Sequence, residues 1–172
     1  MLTQSAPRTH TLSPVVFRLL ALLYNALPVR WQRRILNRTQ ARFLVGVVGL
    51  GVDPNGHVIL ARHRFGAPEW RFLGGFLSPR ERLEDALARE IREETGIEIE
   101  VGPILEANQG YRWQRVELVY AYRLLGGTER LSNELLEVRA FDPTDLPDVR
   151  ADQRGIIERR AALAVEWARR PR

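Results

Sequence analysis

The 172-residue sequence has no cysteine, no lysine and a single methionine. Without cysteine it can build no disulfide framework, no thiolate metal site and no cysteine nucleophile. A reducing, cytoplasmic setting is the corresponding expectation. Because all 26 basic residues are arginine, Schiff-base chemistry and a lysine-type phosphate loop are excluded. Acid is missing from one region. Seven arginines (Arg8, Arg18, Arg30, Arg33, Arg34, Arg38 and Arg42) precede the first carboxylate, Asp53. The remaining 120 residues carry nineteen arginines against 21 acids, a net of −2. The overall charge of +5 therefore belongs to the front of the chain and argues poorly for nucleic-acid binding by the whole. At 45% hydrophobic and 27% charged residues, the composition excludes a fibrous or mostly disordered protein.

Long hydrophobic runs are also absent. The most apolar stretch, Pro14 to Leu27, is broken only by Arg18 and Asn25 on one helical face, and it falls short of the roughly 20 residues that span a bilayer. No small-residue cleavage site follows it, so it does not read as a signal peptide. After Pro28, Arg30, Arg33, Arg34 and Arg38 form one stripe and Trp31 and Ile35 another, which predicts a second short helix. This apolar surface is too extensive to remain in water. It can pack on the rest of the chain, form a homodimer contact, or lie as a basic amphipathic pair on an anionic membrane through residues 14–38. Nucleic acid is disfavoured, because no aromatic residues interleave the basic ones. The expected division is a helical extension over 1–39 and a domain over 40–172.

From Phe43 the pattern turns to strands: Phe43 to Val52, a turn at Asp53-Pro54-Asn55-Gly56, and His57 to Ala61. Further extended pieces are expected at Glu69–Phe72, Ile97–Val101, Val116–Leu124 and Glu137–Phe141, with a turn at Gly126-Gly127. Leu83 to Thr95 is helical, with Leu83, Leu87 and Ile91 as its buried stripe and Gly96 as its stop. A last helix, Arg154 to Arg170, is expected to bury Ile156, Leu163 and Trp167. Helices between hairpins suggest an α/β fold with a mixed sheet covered on both faces.

The chemistry concentrates on the first of these two helices. Glu90, Glu93 and Glu94 stand at i, i+3 and i+4, within one turn and, by this reading, opposite the apolar stripe. Crowded carboxylates without histidine or cysteine select hard cations, Mg²⁺ or Mn²⁺, which commonly borrow substrate phosphates as further ligands. The same face could also be a solvated surface with an Arg89–Glu93 ion pair. The full spacing shifts that balance. Gly75, five residues, Glu81, seven residues, and then Arg89-Glu90-Ile91-Arg92-Glu93-Glu94-Thr95-Gly96-Ile97 resembles the Nudix hydrolase box at every specified position.

The resemblance implies an α/β/α sandwich and metal-dependent hydrolysis of a nucleoside diphosphate linked to another group. It implies Glu90, Glu93 and Glu94 as the metal set, with the Gly74 carbonyl as a further ligand. Arg89 would orient Glu90, Glu81 would accept from Arg89 or hold a water at the metal, and the general base would be a box glutamate or Glu134. Three positions depart from the usual pattern: Leu73 precedes the glycines, and Ser78 and Arg80 replace common residues. Ser78-Pro79-Arg80-Glu81 also reads as a capping box, which would start the helix early. Subclass motifs are missing. Arg112 and Trp113 occupy the zone where ADP-ribose hydrolases carry proline, and neither the NADH pyrophosphatase array nor a coenzyme A motif is found. Tyr111 and Trp113 could stack a base, and Arg62, Arg64 and Arg71 could grip phosphates. A nucleotide-sensing binding module without turnover is the rival reading.

Overall fold

The computed structural model describes residues 13–110 and 114–171. They form two compact units, divided between Arg42 and Phe43. The first is a pair of helices, α1 (Pro14–Ala26) and α2 (Val29–Thr39). The Ser13 side chain accepts from the Val16 N–H, and Pro14 opens the first turn, where its missing donor costs nothing. The corner between the helices is held by Gln32, whose side-chain amide donates to the carbonyls of Leu27 (2.9 Å) and Tyr24 (3.2 Å). The Leu27 carbonyl lies past the end of α1, and the Tyr24 carbonyl accepts from the Leu27 N–H (3.1 Å) as well. Neither helix buries a residue. Among the described residues no helix is long and apolar enough to cross a membrane.

The second unit is a mixed sheet with one helix on each face. Its strands are β1 (Leu44–Val52), β2 (Val58–His63), β3 (Trp70–Arg71), β4 (Leu73–Phe76), β5 (Ile97–Gly110), β6 (Arg115–Gly127) and β7 (Leu135–Phe141). The helices are α3 (Leu83–Thr95) and α4 (Ala151–Ala168). The strand order is β3-β2-β1-β6-β5, with β4 beside β1 and β7 beside β2. The β1–β6 pairing is parallel and the other pairings are antiparallel. Alternation along β1 sends Val48, Leu50 and Val52 toward Ile156, Ile157 and Ala164 of α4. It sends Val47 to the other face, with Leu87 and Ile91 of α3.

Several expectations from the sequence need correction. Gly126 and Gly127 are no turn; they end β6, paired with Glu98 and Ile97. β5 runs past Val101 to Gly110, because β6 supplies a partner along that whole length. Leu163 is exposed and Trp167 only partly buried, while α4 begins at Ala151 and buries Gln153, Ile156, Ile157, Ala161 and Ala164. The capping-box reading also fails. Arg80 sits at φ 69°, which breaks a helical path, and α3 starts at Leu83. Glu81 does accept from the Ser78 N–H (3.1 Å), but across a turn.

His63, at the end of β2, carries a consequence for stability. Its Nε2 is buried without a partner. Burial, with the nearby Arg71 charge, pushes the imidazole down to about 4. Between that value and the ordinary 6.5 the unfolded chain binds the extra proton, so stability is full above 6.5 and drains away as pH falls toward 4. Because the ring is only partly shielded, the loss is about 1–2 kcal/mol. Urea unfolding at pH 7 and pH 4.5 should show wild type losing that much more than His63→Gln. Equal losses would contradict the assignment.

Candidate active site

The site is built where the chain changes strand partners. β3 pairs with β2, and β4 pairs with the neighbouring β1. Phe72 makes the crossing, and its N–H, which no strand serves there, donates to the buried Gln153 side chain of α4 at 3.0 Å. Gly74 and Gly75 then lie opposite Val48 and Val47. Gly74 has φ 139°, a region closed to other residues. A Cβ on Gly74 would overlap the Val47 carbonyl oxygen and the Val48 Cα, and one on Gly75 would overlap the Glu90 carboxylate. The two glycines therefore let β4 press against β1 and let α3 lay a carboxylate directly over the strand.

On α3, the carboxylates are not opposite the apolar stripe. At 100° per residue, Glu94 falls only about 20° from Leu83, three turns earlier. Glu94 consequently falls within the packed side and is half-buried, Glu90 lies at its edge, and Glu93 alone is largely exposed, with 58% of its side chain accessible. Burial pushes the Glu94 carboxyl up to about 7, reinforced by Glu90 and Glu134, while a backbone hydrogen bond from Gly74 and the charge of Arg71 act the other way. One Glu94 oxygen is buried with no hydrogen-bond partner. An anionic oxygen left in that state costs stability unless something cationic meets it.

Arg89 organises the rest. Its Nε and Nη2 grip both oxygens of Glu81 (2.7 and 3.0 Å). Its Nη1 reaches Glu90 (2.9 Å) and Glu93 (3.2 Å), and Nη2 also donates to the Phe76 carbonyl at 3.3 Å. Hydrogen bonding to Arg89 holds the Glu81 carboxyl below its ordinary range, and the Arg89 guanidinium is held protonated in return. Such a five-contact hub needs a planar fork, which an ammonium cannot supply. Arg89→Lys should therefore lose most turnover, roughly tenfold to a hundredfold, with a melting temperature near wild type. A surface ion pair alone would cost about 0.2–1 kcal/mol and leave kinetics unmoved; steady-state rates beside a thermal melt separate the two.

The segment between β6 and β7 docks on the end of α3: Arg130 N–H donates to Thr95 O and Ser132 N–H to Glu94 O, both at 2.8 Å. That docking brings Glu134 within electrostatic reach of Glu94. Of the three arginines read from sequence, Arg62 is engaged by Glu69 at 2.7 Å, and Arg64 donates to the Asn133 carbonyl at 2.9 Å, next to Glu134. Arg71 is the one whose charge reaches Glu94, and its Nε is buried without a partner. Tyr111 and Trp113 lie outside the described residues.

Two residues that sequence reasoning missed join Arg71. A cavity of about 650 Å³ is lined by Arg71, Arg115 and Arg150 with Asn108, Gln109 and Glu117 among its walls. Burial, followed by the charge of Arg150, lowers both Arg71 and Arg115. Arg150 is paired with Asp152 and Arg115 with Glu117, so Arg71 is the least compensated of the three. No local pattern could have flagged Arg115 or Arg150; the parallel β1–β6 pairing and the entry to α4 bring them in.

The oxygens of Glu90, Glu93 and Glu94 and the Gly74 carbonyl are a hard donor set suited to a divalent cation. Among the described residues, no three such carboxylates already enclose a common point. Glu90 and Glu93 instead lean on Arg89, as mutually repelling charges do when a guanidinium is within reach. The unpartnered Glu94 oxygen is the observation that fits a cation here.

A family model described as the NUDIX domain matches residues 42–160. A MutT-like protein of Streptomyces ambofaciens is 33% identical over 108 residues, covering 63% of this chain and 70% of that protein. An ADP-ribose pyrophosphatase of Methanocaldococcus jannaschii is 30% identical, covering 49% and 53% of the two chains. A CTP pyrophosphohydrolase of Escherichia coli is 35% identical, covering 38% and 51%. The chain thus spans only about half the length of the latter two relatives. Among solved structures, a NUDIX hydrolase from Nitrosomonas europaea superposes with a TM-score of 0.64 at 21% identity, covering 72% of each chain. An ADP-ribose pyrophosphatase from Streptococcus suis gives 0.62 at 19%, covering 76% of this chain and 96% of that one. Identities this low speak for the fold alone. The match over more than two-thirds of the chain, with Glu90 and Glu94 laid against the glycine pair, places this protein in the Nudix hydrolase family.

Proposed function

We propose that the chain is a cytoplasmic pyrophosphohydrolase acting on a nucleoside diphosphate linked to another group, either a nucleoside triphosphate or a nucleotide-linked small molecule. Water adds to phosphorus, the P–O bond of the anhydride breaks, and the two phosphates leave separately. The observation that carries the reading is the half-buried Glu94, crowded by Glu90 and Glu134 and left with an unpartnered oxygen. Glu90, Glu93, Glu94 and the Gly74 carbonyl would hold Mg²⁺ or Mn²⁺. That ion, when bound, neutralises phosphoryl oxygens and lowers the pKa of water.

The chain's own residues do the remainder. Arg89, itself fixed by Glu81, holds Glu90 in place over Gly75. Glu134 or a box glutamate takes the proton of the attacking water. Arg71 faces the anionic phosphates, with Arg115 and Arg150 lining the same cavity. A nucleotide sensor has less need than an enzyme to keep three crowded carboxylates, which favours turnover over sensing. Residues 1–39 serve placement rather than chemistry, through a homodimer contact or a membrane contact.

The test is a hydrolysis screen over nucleoside triphosphates, nucleotide sugars and dinucleotide pyrophosphates with Mg²⁺ or Mn²⁺. Release of phosphate-bearing products that stops on chelation supports the proposal. Tight nucleotide binding with no turnover of any compound would favour the sensor.

A further inference from the structure

We propose that the α1–α2 unit is an anchor for an anionic lipid surface, with α1 seated in the membrane interface and the arginines of α2 against the headgroups. The inference is independent of the hydrolase reading. On α1, Val15, Phe17, Leu19, Leu22 and Leu23 are between 58% and 77% exposed, and only Arg18 and Asn25 interrupt the apolar surface. A helix of 13 residues is about 20 Å long, too short to cross the hydrocarbon layer. It is suited to lying flat with most of its circumference in the acyl boundary.

On α2, Arg30, Arg33, Arg34 and Arg38 share one side, flanked by Trp31 and Ile35. The Arg34 guanidinium stands 5.8 Å from the Trp31 ring centre, and tryptophan is a residue that favours the headgroup level. Gln32 ties α2 to the end of α1, so the apolar helix and the cationic stripe are presented together.

Charge decides between occupants. No carboxylate precedes Asp53, so nothing in the unit can neutralise its arginines. A second copy docked on the same surface would set like charge against like. A nucleic acid would neutralise the arginines yet leave the apolar helix in water. An anionic bilayer meets both requirements, burying the apolar helix while its headgroups pair the guanidinium groups.

The experiment is co-sedimentation of the full chain with phosphatidylcholine vesicles, with and without one-third phosphatidylglycerol. Light scattering and a single-stranded oligonucleotide titration accompany it. Binding should require the anionic lipid and fall at least tenfold as salt rises from low to physiological strength. Changing Arg30, Arg33, Arg34 and Arg38 together to Gln should weaken it several hundredfold, at about fivefold per arginine. Leu19→Gln with Leu23→Gln should weaken it while leaving the charge untouched. Unchanged circular dichroism and hydrolytic rate would show that each variant remains folded. The proposal is overturned by equal binding to neutral vesicles that survives the arginine changes. It is likewise overturned by preferential oligonucleotide binding, or by a concentration-dependent dimer with no vesicle binding.

Discussion

Replacing Glu94 by Gln should lower kcat on the best nucleotide substrate on the order of a thousandfold, and yet stabilise the metal-free protein. The two effects have one cause. In the empty site the carboxylate is half-buried, one oxygen has no partner, and Glu90 and Glu134 push against it. Gln keeps the shape and removes the charge, relieving about 1 kcal/mol of strain without metal. On the proposed assignment, the same substitution also deprives the cation of a ligand charge. Glu93→Gln should reduce turnover as well but leave the melting temperature unmoved, because that side chain is mostly exposed. Rates and melts in chelator and in excess Mn²⁺ check both statements. An ordinary helix surface predicts the reverse pattern, with activity unchanged and stability slightly altered.

Gly74→Ala should be severely damaging, costing about 3 kcal/mol or more and abolishing turnover. Two penalties act together: φ 139° is closed to alanine, and the new Cβ would overlap backbone atoms of Val47 and Val48, which cannot rotate away. Relief requires parting β4 from β1, and that shifts the backbone beneath Glu90 and Glu94. In Gly75→Ala the nearest atoms met are those of the Glu90 carboxylate, a side chain able to swing aside. It should therefore lose activity while keeping most of its stability. Urea unfolding and steady-state rates on the two variants test the contrast, and equal destabilisation would contradict it.

How much of this was legible in the sequence depended on how local each signal is. The glycine pair, Glu81, Arg89 and the three glutamates lie within one contiguous stretch, and α3 appears over the span that its periodicity predicts. Reading the glutamates as opposite the apolar stripe was an error of helical phase: Glu94 lies far enough along α3 to come back near Leu83. The early helix start failed because a capping-box pattern cannot report that Arg80 would adopt φ 69°. What stayed hidden was long-range. Arg115 and Arg150 reach the cavity beside Arg71 through the parallel β1–β6 pairing and the entry to α4. The handover of the strand edge at Phe72 depends on Gln153, 81 residues away. Gly126 and Gly127 looked like a turn because glycine pairs mark turns, whereas their partners on β5 keep them in the ladder.

The central claim is that the Glu90, Glu93 and Glu94 cluster against Gly74 is a divalent-cation site. Electron paramagnetic resonance of Mn²⁺ titrated into the full chain tests it most directly, since bound ion leaves the free-ion signal. Wild type should withdraw at least one equivalent of Mn²⁺ from that signal, with Mg²⁺ competing. Glu94→Gln should shift the titration to at least tenfold higher Mn²⁺. A free-ion signal undiminished by wild-type protein, or a Glu94→Gln titration that overlays it, would contradict the account.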